Sequence, residues 1–122
     1  KTEFGAVAQN VPPDKYEANL QQVVGRIVKE SATQLIWAST TPVNEGWHHR
    51  NKPFDRFETD VLAYNALAFK VVSAHGVPVN DLYRTMIDAG RDQHLTPDGV
   101  HFNQAGYALL GQAVADAIRA YL

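Results

Sequence analysis

The sequence predicts an α/β domain built on parallel strands. Stretches whose apolar residues recur every three to four positions alternate with short, continuously apolar runs. Glycine and proline punctuate the joins between them. The order that results is helix, strand, helix, strand, helix, helix, and strands separated by a crossover helix pair in parallel.

Residues Lys1 to Pro13 read as a loop, closed by Val11-Pro12-Pro13, whose prolines favour extended backbone ahead of a helix. Asp14 is placed to cap that helix. Tyr16, Leu20, Val23, Val24, Ile27 and Val28 then fall on one face, with Glu17, Gln21, Gln22, Arg26 and Lys29 between them. Gly25, inside the helix, suits the close approach of a neighbour. A strand follows from Gln34 to Ser39. Its Leu35-Ile36-Trp37-Ala38 is apolar without alternation, as in a strand covered on both faces. Thr40-Thr41-Pro42 ends it and opens a long loop from Val43 to Arg56 that holds Asn44, Gly46, Trp47, His48, His49 and Arg50.

A second long helix is expected from Glu58 to His75, with Val61, Tyr64, Asn65, Ala68 and Val72 along one face. Gly76 stops it, because glycine tolerates the left-handed backbone of a helix end. Val77 to Asp81 reads as the second strand, with Pro78 near its start. Leu82 to Ala89 is a short helix with Tyr83, Met86 and Ile87 on its apolar side, and Gly90 to Val100 is a loop. The last helix runs from Asn103, a suitable cap, to Leu122, with Tyr107, Leu110, Val114, Ile118 and Tyr121 facing inward.

At 122 residues the chain is one domain or less. Its hydrophobic share of 45% and charged share of 20% exclude wholesale disorder. A formal net charge of -2 gives no electrostatic footprint for nucleic acid or an anionic membrane surface. No apolar run approaches the ~18 residues that a membrane-spanning helix needs. Without cysteine there is no disulfide framework, thiol nucleophile or Cys-based zinc site, and the compartment is undecided. The sequence opens at Lys1 without a signal-peptide pattern, which suggests a fragment or trimmed product whose targeting information would lie upstream. Two strands cannot cover about four amphipathic helices. The missing strands are therefore expected from an upstream segment, a companion chain or a second copy.

Asp98 and His101 lie three residues apart on a loop that enters a helix. At that spacing a carboxylate can reach back to the imidazole Nδ1, fix its tautomer and turn Nε2 outward as a general base. The spacing alone suits an ordinary surface pair as well as a catalytic one. Its position after the last strand is where α/β sheets place their sites. Gly99 permits a tight turn there, and Phe102 can anchor the loop.

Asp98-Gly99-Val100-His101-Phe102-Asn103-Gln104-Ala105-Gly106-Tyr107, followed by an apolar helix, resembles the last sequence block of the SGNH (GDSL-type) hydrolases. Tyr16 to Leu20, Leu35 to Pro42, Tyr64-Asn65 and Val79 to Leu82 look like other segments of the same family. The resemblance spans nearly the whole chain but only about the C-terminal half of a family member. It implies a flavodoxin-like α/β/α sandwich, here only partial, and a serine ester hydrolase that needs no cofactor or metal. Substrates would be small carboxylic esters, acetyl groups on carbohydrate among them. Carried over, His101 is the base and Asp98 its orienting acid.

The family's Gly-Asp-Ser nucleophile block and the two blocks that supply its oxyanion-hole glycine and asparagine are absent. Ser31, Ser39 and Ser73 are the only serines, and none lies in a nucleophile turn. Thr40 and Thr41 at the strand end, Trp47 on the long loop and His94 ahead of Asp98 are candidates to face substrate. His48, His49 and Phe54 could line the same loop surface, and Leu95 could border the cleft. His48-His49, with His75 and His94, invite a metal reading. Adjacent histidines diverge, however, and no ligand set recurs at helical spacing, so a solvated loop pair is expected. Tyr64 is expected to pack on the sheet and Asn65 to bond a neighbouring loop. The competing functional reading is a chain that is not itself an enzyme and associates with a partner, or with itself, through its open sheet edge.

Overall fold

The structure, a computed structural model, describes residues 8–122 together with the backbone of Thr2–Glu3. Two elements carry most of the apolar packing. Helix α1 (Pro13–Glu30) and helix α3 (Glu58–Ala74) lie against each other. Leu20 and Val24 of the first meet Ala68, Val71 and Val72 of the second, with Val77 completing the buried cluster. Tyr16, Leu35, Trp37 and Val79 pack around its edge.

At the edge of this cluster the parallel sheet is formed by two strands, β2 (Trp37–Ala38) and β4 (Val79–Asn80). Trp37 registers with Val79 and Ala38 with Asn80. Backbone bonds from Trp37 to Pro78 (2.9 Å) and from Ser39 to Asn80 (3.0 Å) extend the ladder. The α/β class and the parallel pairing are those expected. The strand is not covered on both faces, however, because Ala38 is exposed.

Several expected loops contain structure. Within 1–13, β1 (Thr2–Glu3) pairs antiparallel with β3 (Phe54–Asp55); residues 1 and 4–7 lie outside the described residues. The stretch 43–56 holds that strand and helix α2 (Glu45–Asn51), whose cap is Asn44: its side-chain oxygen accepts from Trp47 N at 3.1 Å. Helix α5 (Arg91–His94) occupies the loop after Gly90, where φ is +91°. A helix of one or two turns has too few residues to display an apolar stripe, so periodicity does not reveal it. The described residues thus hold six helices rather than about four, and four short strands rather than two.

Helix α4 (Leu82–Ala89) has its expected bounds, and Met86 is fully buried. Met86, Leu95 and Phe102 form a second apolar cluster, against which Trp47 and Leu110 pack. Helix α6 (Gln104–Arg119) closes this side and is capped by Asn103, which accepts from Gly106 N at 2.9 Å. Gly76 ends α3 in the left-handed region, φ +69°. Asp14 does not cap α1. Pro12 holds that position, and Asp14 sits in the first turn, where its charge faces the positive end of the helix dipole. Gly25 does admit a close neighbour, since a Cβ there would lie 3.3 Å from the His75 ring.

The face of α6 expected to point inward is largely open. Tyr107, Val114, Ile118 and Tyr121 are exposed, as are Val23, Ile27 and Val28 on α1. Two-residue strands are too narrow a platform to cover these stripes.

Because Met86 fills the centre of the second cluster, Met86→Ala should cost about 2–5 kcal/mol of unfolding free energy. Leu122→Ala, at a residue 97% exposed, should stay within about 0.5 kcal/mol. Urea denaturation of the two variants beside the parent chain measures both.

Candidate active site

The loop 95–102 is shaped by its own backbone before any side chain acts. Leu95 bridges Phe102 antiparallel, Thr96 N donates to His101 O (2.8 Å), and Gly99 N donates to Thr96 O (3.0 Å). Pro97 and Gly99 occupy the second and last positions of that turn, which both residue types favour. Gly99, at φ +73°, is required twice over. A Cβ at this residue would collide with Asn44 O and lie 2.8 Å from His48 N. The loop therefore rests directly on the first turn of α2, and Asn44 N donates to Gly99 O at 2.9 Å.

Within this turn the two carboxylate oxygens of Asp98 divide their work. Oδ1 accepts from Thr96 Oγ1 (2.9 Å), Val100 N (2.9 Å) and His101 N (3.0 Å). Oδ2 accepts from His101 Nδ1 at 2.6 Å. Partial burial works against the Asp98 charge, yet the bond from His101, the two backbone N–H groups and Thr96 outweigh it. They hold its pKa well below the usual carboxylate range. A carboxylate has no proton to donate, so Nδ1 carries the hydrogen and neutral His101 presents a bare Nε2 lone pair. The His101 side chain is 66% exposed and Asp98 23%. This pair can take up a proton at Nε2 and stabilise the imidazolium that results.

Beside the loop lies a cavity of about 190 Å³ whose wall includes Thr40, Thr41 and Val100. Two of the four candidate substrate-facing residues thus border this cavity. The other two do not. Trp47 packs against the Met86 cluster and opens on a separate depression with Arg50, Asn51, Leu95 and Pro97. His94 Nδ1 donates to Gly90 O (2.9 Å), and its backbone lies against Gly106 of α6. A one-turn helix places that ring back on its own start, which distance along the sequence does not disclose.

The remaining histidines are dispersed. His49 pairs with Asp55 (2.7 Å) and His75 with Gln21 (3.2 Å). His48 is not solvated as expected. It is buried at 1% exposure with its ring against Phe54, because helix α2 turns residue 48 inward and residue 49 outward. Burial lowers its pKa, and the Arg56 charge acts in the same direction. Among the described residues no three His, Asp or Glu side chains come together as a metal site.

The serines have structural partners or positions. Ser39 Oγ donates to Asp81 Oδ1 and accepts from Tyr83 N, both at 2.9 Å, at the start of α4. Ser31 Oγ bonds Thr33, and Ser73 is an exposed position on α3. Asn65 clamps the strand end as expected, its amide accepting from Thr40 N and donating to Thr40 O at 2.8 Å each. Tyr64 meets Tyr16 and donates to Val11 O (2.5 Å).

A polar brace that local sequence patterns do not reveal fixes the next two residues. Glu58 Oε2 accepts from Val43 N (2.9 Å) while its other oxygen accepts from the Tyr83 hydroxyl. Burial, then that bond, pushes the Tyr83 pKa up to about 12. Arg91 donates to Val43 O (2.7 Å) and pairs with Asp92, which also accepts from Asn44 Nδ2 (3.1 Å).

The family sequence model described as GDSL-like lipase/acylhydrolase matches residues 7–109. Among solved structures, a lipase/acylhydrolase from Enterococcus faecalis superposes with TM-score 0.78 and 30% identity, over 93% of this chain and 55% of that one. LAE5, an α/β hydrolase enzyme from the metagenome of Lake Arreo, Spain, gives 0.72 and 20%, over 89% of this chain and 48% of the other. The esterase domain of the ORF1 protein of the zebrafish ZfL2-1 retrotransposon gives 0.70 and 18%, over 88% and 60%. The chain therefore spans about half the length of these structures. No curated protein sequence matches it significantly.

The depressed Asp98 pKa has a consequence for stability. Its contribution is fully present above the unfolded-state value near 4 and is lost as pH falls below that toward the folded-state value. Asp98→Asn should be less stable than the parent at pH 7, and the two should converge as pH drops below about 4. Urea midpoints between pH 2 and pH 7 test this, and parallel curves would refute it.

Proposed function

The chain belongs to the GDSL-like lipase/acylhydrolase family, and on that premise we propose that it carries the base and orienting acid of a serine ester hydrolase. The observation that supports this most directly is the 2.6 Å bond from His101 Nδ1 to Asp98 Oδ2, with Nε2 left open to solvent. In the reaction, Nε2 of His101 takes the proton of a serine hydroxyl as that oxygen attacks the ester carbonyl. The same proton then passes to the departing alcohol, and His101 next deprotonates the water that releases the acid. Asp98 stays ionised and stabilises the imidazolium at each stage.

The serine and the oxyanion donors come from outside these residues. Ser39 is committed to the α4 start, and a base without a nucleophile performs no covalent catalysis. A segment of that kind also has surfaces to cover, namely the exposed stripes of α1 and α6 and the edges of the β2–β4 pair. Short carboxylic esters suit the cavity that Thr40 and Thr41 border, and acetyl esters of carbohydrates belong to that class.

Two measurements test this reading. With the serine-bearing segment present, His101→Ala and Asp98→Asn should each lower kcat for p-nitrophenyl acetate by about 10³–10⁴. The chain alone should be no faster than free imidazole; rapid turnover abolished by Ser39→Ala would place the nucleophile inside it and overturn the assignment. In sedimentation velocity at micromolar concentration, the isolated chain should cover its open faces with a second copy and run as a dimer or larger. A well-behaved monomer would remove the need for a covering element.

A further inference from the structure

We propose that the cavity beside His101 selects esters of short dicarboxylic acids, binding the free carboxylate of the acyl group at Arg56. This rests on the preceding reading that His101 is the base, and it adds the substrate class.

The cavity borders the catalytic loop at Val100, the residue before His101, whose N–H is bonded to Asp98. Its wall is apolar at Val43, Val61 and Val100 and carries two charged residues, Arg56 and Asp60. These charges line one space without forming an ion pair. Asp60 is occupied, since its Oδ1 accepts from Gln9 Nε2 at 2.9 Å. Its charge also acts on Tyr64, which lines the same wall.

Arg56 is in the opposite condition. Among the described residues it has no carboxylate partner, and its Nε is buried without an acceptor. The guanidinium sits 5.6 Å from the Phe54 ring centroid, a cation–π contact that holds the group in place without using its donors. A guanidinium already stripped of some of its water gains more from an incoming carboxylate than an exposed one would, and the planar fork matches that ligand. Arg56 is the cationic residue of this wall.

Size sets the chain length. A cavity of about 190 Å³ has room for a short acyl chain such as a succinyl group.

The test is a binding measurement that needs neither serine nor turnover. The ¹⁵N-labelled chain is titrated with monomethyl succinate and, separately, with methyl butyrate, its neutral counterpart of similar length. The half-ester should shift the Arg56 Nε resonance and the amides of Thr40, Thr41 and Val100, with at least tenfold higher affinity than methyl butyrate. Arg56→Met should erase that preference and Arg56→Lys should retain part of it. Equal affinities, shifts confined to other residues, or no saturable shift from the half-ester would each overturn the proposal. Binding as described, joined to a serine-complete protein that hydrolyses no ester, would instead overturn the hydrolase reading alone.

Discussion

The seating of Gly99 on the first turn of α2 fixes where everything else in the site can be. No side chain larger than hydrogen fits between the 96–101 loop and the backbone of Asn44 and His48. That absence lets Asn44 N reach Gly99 O and joins the loop to the residues just past β2. Val43 and Asn44 are gripped from two other elements: by Glu58 at the start of α3, and by Arg91 and Asp92 in α5. Tyr83 of α4 in turn holds Glu58. A functional loop on a rigid scaffold needs this kind of convergence, because a single bond to a charged group contributes only about 1.5–3 kcal/mol net. Linked through shared acceptors, the bonds hold one arrangement where each alone would not.

The Asp98–His101 pair is not what holds that loop in place. An ion pair as open to solvent as this one is worth about 0–1 kcal/mol. The loop is held by Gly99, by the Leu95–Phe102 bridge and by the three donors on Asp98 Oδ1. Oδ2 is thereby left to a single partner and is aimed by bonds that do not involve the imidazole ring. The orientation of His101 is thus a consequence of a turn that forms for its own reasons. The ring can gain and lose a proton without the turn coming apart.

What could be read from the sequence was whatever is encoded over a few residues. The stripe from Tyr16 to Val28, the stop at Gly76, the cap at Asn103, the bounds of Leu82–Ala89 and the Asp98–His101 spacing all act within one or two helical turns. The features that escaped depend on partners far along the chain. Glu58 meets Tyr83 across 25 positions, and Arg91 meets Val43 across 48. Helices α2 and α5 are too short to show a period, and the inward turn of His48 follows from α2. Periodicity also shows which face of a helix is apolar without showing whether anything covers it. Tyr107, Val114 and Ile118 have the expected spacing and still face solvent. The same limit applies to Arg56, an unremarkable charge until the fold places it in a cavity wall.

The chain is therefore tightly bonded at its polar end and open to water on its apolar sides, and on the proposed reading the two conditions are connected. Residues 43–44 and 95–103 have their backbone and side-chain bonds in place, whereas α1 and α6 keep wide apolar stripes in water. His101 shares in that openness, being mostly exposed although its acid partner is set. On the proposed reading, one covering segment resolves both. Burying the α1 and α6 stripes supplies the hydrophobic gain, and the same approach brings the serine to Nε2 and excludes water from the imidazole. Lower local polarity strengthens the bond from Nδ1 to Asp98 at the moment the imidazolium forms. Assembly and activation of the base would then be a single event, with the order of the Asp98 turn established beforehand.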